Sequence, residues 1–252
     1  MALRDVAAND LLPSLPMDAR AALLARRYEP MTPRQVLQEA IGHEFAGRIA
    51  LVSSFGADSV ALLHLVASVD PSTPVIFVDT GKMFGSTHRY RRELTERFGL
   101  TDVRLAQPDA EALARQDPES DLWMQDSDRC CAIRKVAPLA GALAGFDAWI
   151  SGRKRFQGGM RSSMPLAESD GRQVKINPMA NWSRETIADY VREHDLPEHP
   201  MVAEGYRSIG CMPCTDKVAE GESDRAGRWR GKAKSECGIH LGLSAVLTDI
   251  KR

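Results

Sequence analysis

Short apolar runs separated by helical stretches constrain this chain more than any other feature. The runs are Arg48-Ile-Ala-Leu-Val-Ser-Ser, Pro74-Val-Ile-Phe-Val-Asp, Val103-Arg-Leu-Ala, Ala148-Trp-Ile-Ser and Gln173-Val-Lys-Ile-Asn. Each is short, apolar and bounded by turn-forming residues, which predicts a buried strand. Helices are predicted over Val60–Val69, over Ser86–Phe98, over Cys130–Leu143 with an interruption at Pro138, and from a cap at Ser183 to about His194. Strands alternating with helices argue for an α/β fold, a parallel sheet flanked by helices on both faces. In that architecture ligands bind at the carboxyl ends of the strands, so the loops that follow the strands are where chemistry belongs.

The chain has 252 residues, enough for one large domain with a tail. We divide it into a helical amphipathic segment over 1–47, an α/β domain over 48–214, and a mobile tail over 215–252 whose residues 215–236 are rich in Gly, Lys, Arg, Glu and Asp. A formal charge of −1 offers no global field for nucleic acid or an anionic membrane. The N-terminus has no long apolar stretch of a secretory signal, and no run of about 18 apolar residues predicts a membrane span. The expected setting is cytoplasmic, where thiols stay reduced. Five cysteines in such a setting read as ligands or nucleophiles rather than disulfides.

The loop Ser53-Ser54-Phe55-Gly56-Ala57-Asp58-Ser59 joins the first strand to a helix. Its small residues let backbone N–H groups face an anion at the helix N-terminus. No Gly-Lys-Ser/Thr follows, so it is not a Walker A loop. It resembles the pyrophosphate loop of the adenine-nucleotide alpha-hydrolase superfamily, with Ser54, Gly56, Asp58 and Ser59 matching. A plain Ser-capped turn is the alternative. The turn Asp79-Thr80-Gly81-Lys82-Met83 follows the second strand, where it can meet a base or simply reverse the chain.

Cys130 and Cys131 are adjacent, and Cys211 and Cys214 form a C-x-x-C. Two such pairs can supply four thiolates to an iron–sulfur cluster. Zinc is the competing metal; a redox C-x-x-C would leave the first pair unexplained, and some of these cysteines could be small core residues. Arg129, Arg134 and Lys135 would offset the charge of a four-thiolate centre, or form a solvated helix face. Cys237, in Lys-Ser-Glu-Cys-Gly-Ile-His, is then left over as a candidate nucleophile, with His240 three residues on and Arg225 and Arg228 upstream. A free thiol has a pKa of about 8.5, so its neighbours must favour the thiolate.

From Ser53 to Gly242 the chain resembles the assimilatory sulfonucleotide reductases, and within them the iron–sulfur branch that acts on adenylyl sulfate. The resemblance is carried by Cys130-Cys131-Ala-Ile-Arg-Lys-Val-Ala-Pro-Leu, Ser208-Ile-Gly-Cys-Met-Pro-Cys-Thr, Asp224-Arg-Ala-Gly-Arg-Trp and Glu236-Cys-Gly-Ile-His. It implies a 4Fe-4S cluster on Cys130, Cys131, Cys211 and Cys214, with Lys135 between cluster and substrate. It implies arginines at 161, 225 and 228 that grip the phosphosulfate, and Cys237 as nucleophile with His240 near it. Ser53, Ser54, Phe55, Gly56, Ser59, Asp79, Thr80, Gly81 and Gly152 match segments around the nucleotide.

The implied reaction belongs to sulfate assimilation and cysteine biosynthesis. It passes through an S-sulfocysteine, and thioredoxin or glutaredoxin then releases sulfite, because no resolving cysteine remains in the chain. The cluster is expected to tune electrostatics rather than pass electrons. A homo-oligomer is also implied, with 1–47 available as an interface. The 3′-phosphorylated substrate is the alternative; reductases restricted to it typically lack both cysteine pairs. An ATP-dependent ligase or tRNA thiolase on the same loop, and a metal-bound sensor or nucleic-acid module, are more distant readings. Two segments depart from the family pattern. Asp58-Ser59 stands where Glu-Asp is common, and Lys154-Arg155-Phe156-Gln157-Gly158 stands in a shortened loop, which leaves Arg153 and Lys154 as substitutes for Arg161.

Overall fold

The structure, a computed structural model, describes residues 15–232, 234 and 236–240. Six strands form one sheet in the order β3-β2-β1-β4-β6-β5. They are β1 (Ile49–Ser53), β2 (Val75–Val78), β3 (Val103–Ala106), β4 (Ala148–Ile150), β5 (Ala167–Ser169) and β6 (Val174–Ile176). Helices α1 (Met17–Tyr28), α2 (Pro33–Glu39), α3 (Ser59–Val69), α4 (Gly85–Arg97), α5 (Ala110–Gln116), α6 (Leu122–Gln125), α7 (Ser127–Cys131), α8 (Ala137–Ala142) and α9 (Arg184–Glu193) surround it. Ahead of β1 the chain is helical over Met17–Tyr28, Pro33–Glu39 and a π-turn at Ala40–Glu44, and residues 1–14 lie outside the described residues. Among the described residues no helix is long and apolar enough to cross a membrane.

Both faces of the sheet are buried, which is why its strands read as continuous apolar runs. Ile49 and Leu51 enter the larger core with Leu63 and Val66 of α3. Ala50 faces the other way, toward Val136, Leu139 and Trp149. Leu63, 1% exposed, illustrates the driving force: burying such a side chain contributes about 2 kcal/mol. Helix α2 starts on a capping box in which Thr32 accepts from Gln35 N–H and Gln35 reaches back to Thr32 N–H. The predicted cap at Ser183 is present, accepting from Thr186 N–H.

Strands β1, β2, β3, β4 and β6 run parallel. β5 runs antiparallel to β6 at the edge of an otherwise parallel sheet. After β1 the chain builds β2 and β3 on one side, then crosses back to place β4 on the other side of β1. Between β1 and β4 the outgoing loops turn in opposite directions and open a crevice.

The expected break at Pro138 takes a different form. Ala132–Val136 is a turn of π-helix between α7 and α8, and Pro138 sits in the first turn of α8. Proline lacks the N–H that would bond the carbonyl one turn back, and a π-turn absorbs the mismatch without ending the helix.

Candidate active site

The crevice between β1 and β4 holds a cavity of about 210 Å³. Its first wall is the loop after β1. The Ser53 hydroxyl accepts from Phe55 N–H at 3.1 Å, which folds the loop back on itself. Phe55 has φ of 47°, and its ring is buried edge-on against Phe77. Gly56 then passes so close to Ile209 that a Cβ would stand 3.0 Å from its carbonyl oxygen. Ser53, Ser54, Gly56 and Ser59 line the cavity, whereas Phe55 anchors the loop from the core.

Gly152 and Arg161 line the same cavity from the segment after β4, Lys135 from the π-turn, and Arg225, Arg228, Cys237 and His240 from the C-terminal segment. Asp79, Thr80 and Gly81 are not part of that lining, and of the three Thr80 meets a cysteine. Asp79 accepts from Gly81 N–H at 3.1 Å, and the Thr80 hydroxyl hydrogen-bonds Cys211 Sγ at 3.1 Å. Met83 bridges Cys211 in an antiparallel pair, and Met212 N–H donates to Lys82 O at 2.8 Å. The turn after β2 thus fixes the C-x-x-C segment.

All four paired cysteines are buried and unoxidised. Asp126 caps α7 by accepting from Asp128 and Arg129 N–H, and α7 presents Cys130 and Cys131 at its end. Burial pushes the Cys130 thiol up to about 11, with Cys211 and Cys214 adding to the rise. Burial and then Cys211 raise Cys214. Cys131 packs with Cys214, Trp229 and Cys237. Cys130, Cys211 and Cys214 thus sense one another's charge, and Cys131 joins them by packing on Cys214. Among the described residues no set of three or more His, Cys, Asp or Glu converges as a single metal ion would need. An iron–sulfur cluster spreads its thiolates over separate irons. Four buried thiols beside Arg134, Lys135, Lys232 and Arg228 fit that donor chemistry and its negative charge.

Arg134 ties the turn and the helix together. Its guanidinium donates to Asp117 at 2.5 and 2.9 Å and to Thr80 O at 3.0 Å, with both partners of the ion pair buried. Replacing Asp117 with alanine will leave that cation buried and unpaired. A loss of about 3–5 kcal/mol is expected in chemical denaturation.

Cys237 is 8% exposed and is folded over this group. The hydrogen bond from Cys131 holds its thiol well below the ordinary range, and Lys135, Ile239 N–H and Arg228 reinforce that against burial. Burial alone would lower Lys135, but Cys237, Cys211 and Cys131 together raise it. His240 is held neutral by burial first, then by Arg153, Lys175, Arg161 and Arg225. Its ring stacks on Trp149, with centroids 6.0 Å apart.

Arg153 and Lys154 line the cavity as well as Arg161. Arg153 pairs with Glu168, Lys154 with Asp58 at 2.9 Å, and Arg161 with Glu236 at 2.6 Å. Burial, then the charge of Arg161, lowers both Arg153 and Arg225 to about 10. Cations crowded this way in a buried cleft stabilise an anion brought among them. One further residue was not singled out from the sequence. Trp229 has φ of 50°, is 3% exposed, and lies under Arg228, Arg225 and Lys234, at 4.6, 5.7 and 5.7 Å from its ring. The Asp224-Arg-Ala-Gly-Arg-Trp segment contained it, but a tryptophan reads first as core.

Gly210 gives a test of Arg228. A Cβ there would stand 2.7 Å from the Arg228 Cζ, so Gly210→Ala must push that guanidinium out of place. Arg228 is a flexible side chain, so the fold should survive. The expected result is a roughly 10- to 100-fold loss in kcat/KM with an unchanged unfolding midpoint.

Residues 48–217 match the model of the phosphoadenosine phosphosulfate reductase domain. The chain is 50% identical over 232 residues to the adenosine 5′-phosphosulfate reductase of Mesorhizobium japonicum, covering 92% of this chain and 91% of that protein. It is 49% identical over 235 residues to the adenosine 5′-phosphosulfate reductase of a Chelativorans species, covering 92% and 96%. Its fold is similar to the crystal structure of phosphoadenylyl-sulfate reductase from Candida auris. The TM-score is 0.68 at 23% identity, covering 81% of this chain and 98% of that one.

Proposed function

The chain belongs to the phosphoadenosine phosphosulfate reductase family, and from that premise we propose that it reduces adenosine 5′-phosphosulfate to sulfite and AMP in sulfate assimilation, toward cysteine biosynthesis. The observation that carries the reading is Cys237. Its thiol lies beside Lys135 and Arg228, which favour the thiolate, on a cavity that Arg161, Arg225 and Arg228 also line.

The Cys237 thiolate attacks the sulfur of the substrate. The bond from sulfur to the bridging oxygen breaks, its electron pair leaves with AMP, and an S-sulfocysteine remains. The arginines and Lys135 offset the charge on the phosphosulfate oxygens. Ser53, Ser54, Gly56 and Ser59 hold the nucleotide end, and Gly152 borders it. Neutral His240 keeps a further cation away from the guanidinium cluster and packs the tail on Trp149.

A thiol of an external dithiol protein, thioredoxin or glutaredoxin, then attacks the Cys237 sulfur. Sulfite leaves with the electron pair of the sulfur–sulfur bond, and the second thiol of the reductant resolves the mixed disulfide. The two electrons come from that dithiol, and a cytoplasmic setting keeps it reduced. Cys130, Cys131, Cys211 and Cys214 would hold a 4Fe-4S cluster. When bound, it supplies a fixed negative charge that sets the electrostatics around Lys135.

The test is sulfite release by anaerobically purified protein with thioredoxin, comparing adenosine 5′-phosphosulfate with its 3′-phosphorylated form. Preference for the unphosphorylated substrate is expected. Preference for the phosphorylated one would move the substrate assignment, and no sulfite from either would contradict the reaction.

A further inference from the structure

The residue before the nucleophile occupies a place that no role in the reaction above accounts for. Glu236 is 8% exposed. Its carboxylate accepts two hydrogen bonds from the Arg161 guanidinium, Nε to Oε2 at 2.6 Å and Nη2 to Oε1 at 2.7 Å. Arg225 Nη2 approaches Oε1 at 3.4 Å, and Cys237 N–H donates to the same oxygen at 3.0 Å. One carboxylate thus joins the segment after β4, the arginine segment and the backbone of the nucleophile.

Paired, charge-assisted hydrogen bonds of this kind are short, directional and strong. Two lysine ties of this segment are weaker. Lys234 donates to Ser127 O at 3.1 Å and to Asp128 at 2.6 Å, but Asp128 is 81% exposed at its side chain, where water screens the pair. Lys232 donates to Trp123 O. Of these contacts only the one at Glu236 is buried at both partners and reaches the guanidinium groups on the cavity.

We infer that Glu236 is a positioning residue, a carboxylate clamp that seats Cys237 over the cavity through Arg161 and Arg225. This inference rests on the proposed reaction for the roles of those arginines. Because the clamp closes on the same guanidinium groups that face the phosphosulfate, the nucleophile is set in register with the anion it attacks. The clamp acts oppositely on the two halves of the reaction. It favours attack by fixing the thiolate. It opposes release, because the sulfur of a buried residue must come out of the crevice before a dithiol protein can reach it.

Glu236→Gln keeps the shape and removes the charge. In single turnover without reductant, S-sulfocysteine formation is expected to slow about 10- to 100-fold. Sulfite release by thioredoxin from fully sulfonated Glu236→Gln protein should run at the wild-type rate or faster. In substrate-free protein, alkylation of Cys237 by iodoacetamide, followed by peptide mass spectrometry, should speed up about 10-fold. Glu236→Asp, which keeps the charge, should recover part of both effects.

Sulfonation and alkylation of Glu236→Gln at wild-type rates would overturn the clamp. So would a parallel slowing of both half-reactions, which is the mark of general structural damage, and so would Glu236→Asp faring no better than Glu236→Gln. Failure of the wild type to sulfonate would instead strike the proposed reaction, and the alkylation rates would still decide the seating of Cys237.

Discussion

Cys237→Ser will abolish sulfite release, by more than about 10⁴-fold, while leaving the protein folded and its iron content unchanged. The surroundings of Cys237 favour a thiolate: Lys135 and Arg228 add positive charge beside it, and Ile239 N–H faces it. A serine hydroxyl at the same place would not ionise near neutral pH and is a far weaker nucleophile than a thiolate. Of the four paired cysteines Cys211 also lines the cavity, but as a cluster ligand its thiolate would be committed to iron. The side chain is nearly isosteric, so lost packing will not explain the result. Sulfite assay with thioredoxin measures the loss. Visible absorption and iron analysis check that the cysteine quartet is undisturbed.

Cys211→Ser, alone, is expected to release iron and acid-labile sulfide, bleach the visible absorption and lower activity by about 100-fold or more. Cys211 holds the junction between two parts of the site. Its sulfur meets the Thr80 hydroxyl, its backbone bridges Met83, and its charge is sensed by Cys130, Cys214 and Lys135. A hydroxyl is a poor ligand for iron held by thiolates. The unfolding midpoint should fall as well, because a cluster bound only by the native state stabilises that state. Retention of iron together with wild-type activity would show that Cys211 is a packing residue and not a ligand.

Much of this site was legible in the sequence, for reasons that can be named. The strands β1, β2, β3, β4 and β6 are apolar runs because helices cover both faces of the sheet, and the loops after β1 and β4 lie where a change in strand order opens a crevice. Cysteine spacing pointed to two pairs and a remainder; the structure packs one member of each pair, Cys131 and Cys214, against Cys237, and places Cys211 with Cys237 on the crevice.

Three features were hidden. β5 is three residues long and carries Glu168 and Ser169; it exists because β6 offers an edge and because Trp149 donates to Asp170 just beyond it. Phe55 sits inside a loop whose pattern suggests nucleotide contact, yet its ring belongs to the core. Glu236 and Trp229 acquire their roles only when the C-terminal segment folds back over α7 and the cysteines, a long-range contact that no local pattern encodes. The described part of that segment is seated on the site. Thr215 pairs with Arg228, and Asp216 N–H donates to Gly227 O at 2.8 Å.

The central claim is that Cys237 itself takes the sulfonyl group. Anaerobic protein mixed with adenosine 5′-phosphosulfate and no reductant, then analysed by intact and peptide mass spectrometry, tests it most directly. The account predicts one added SO₃ per chain, located on Cys237 and removed as sulfite by thioredoxin, with stoichiometric AMP formed beforehand. AMP and sulfite formed with no covalent adduct, or an adduct on any other residue, would contradict it.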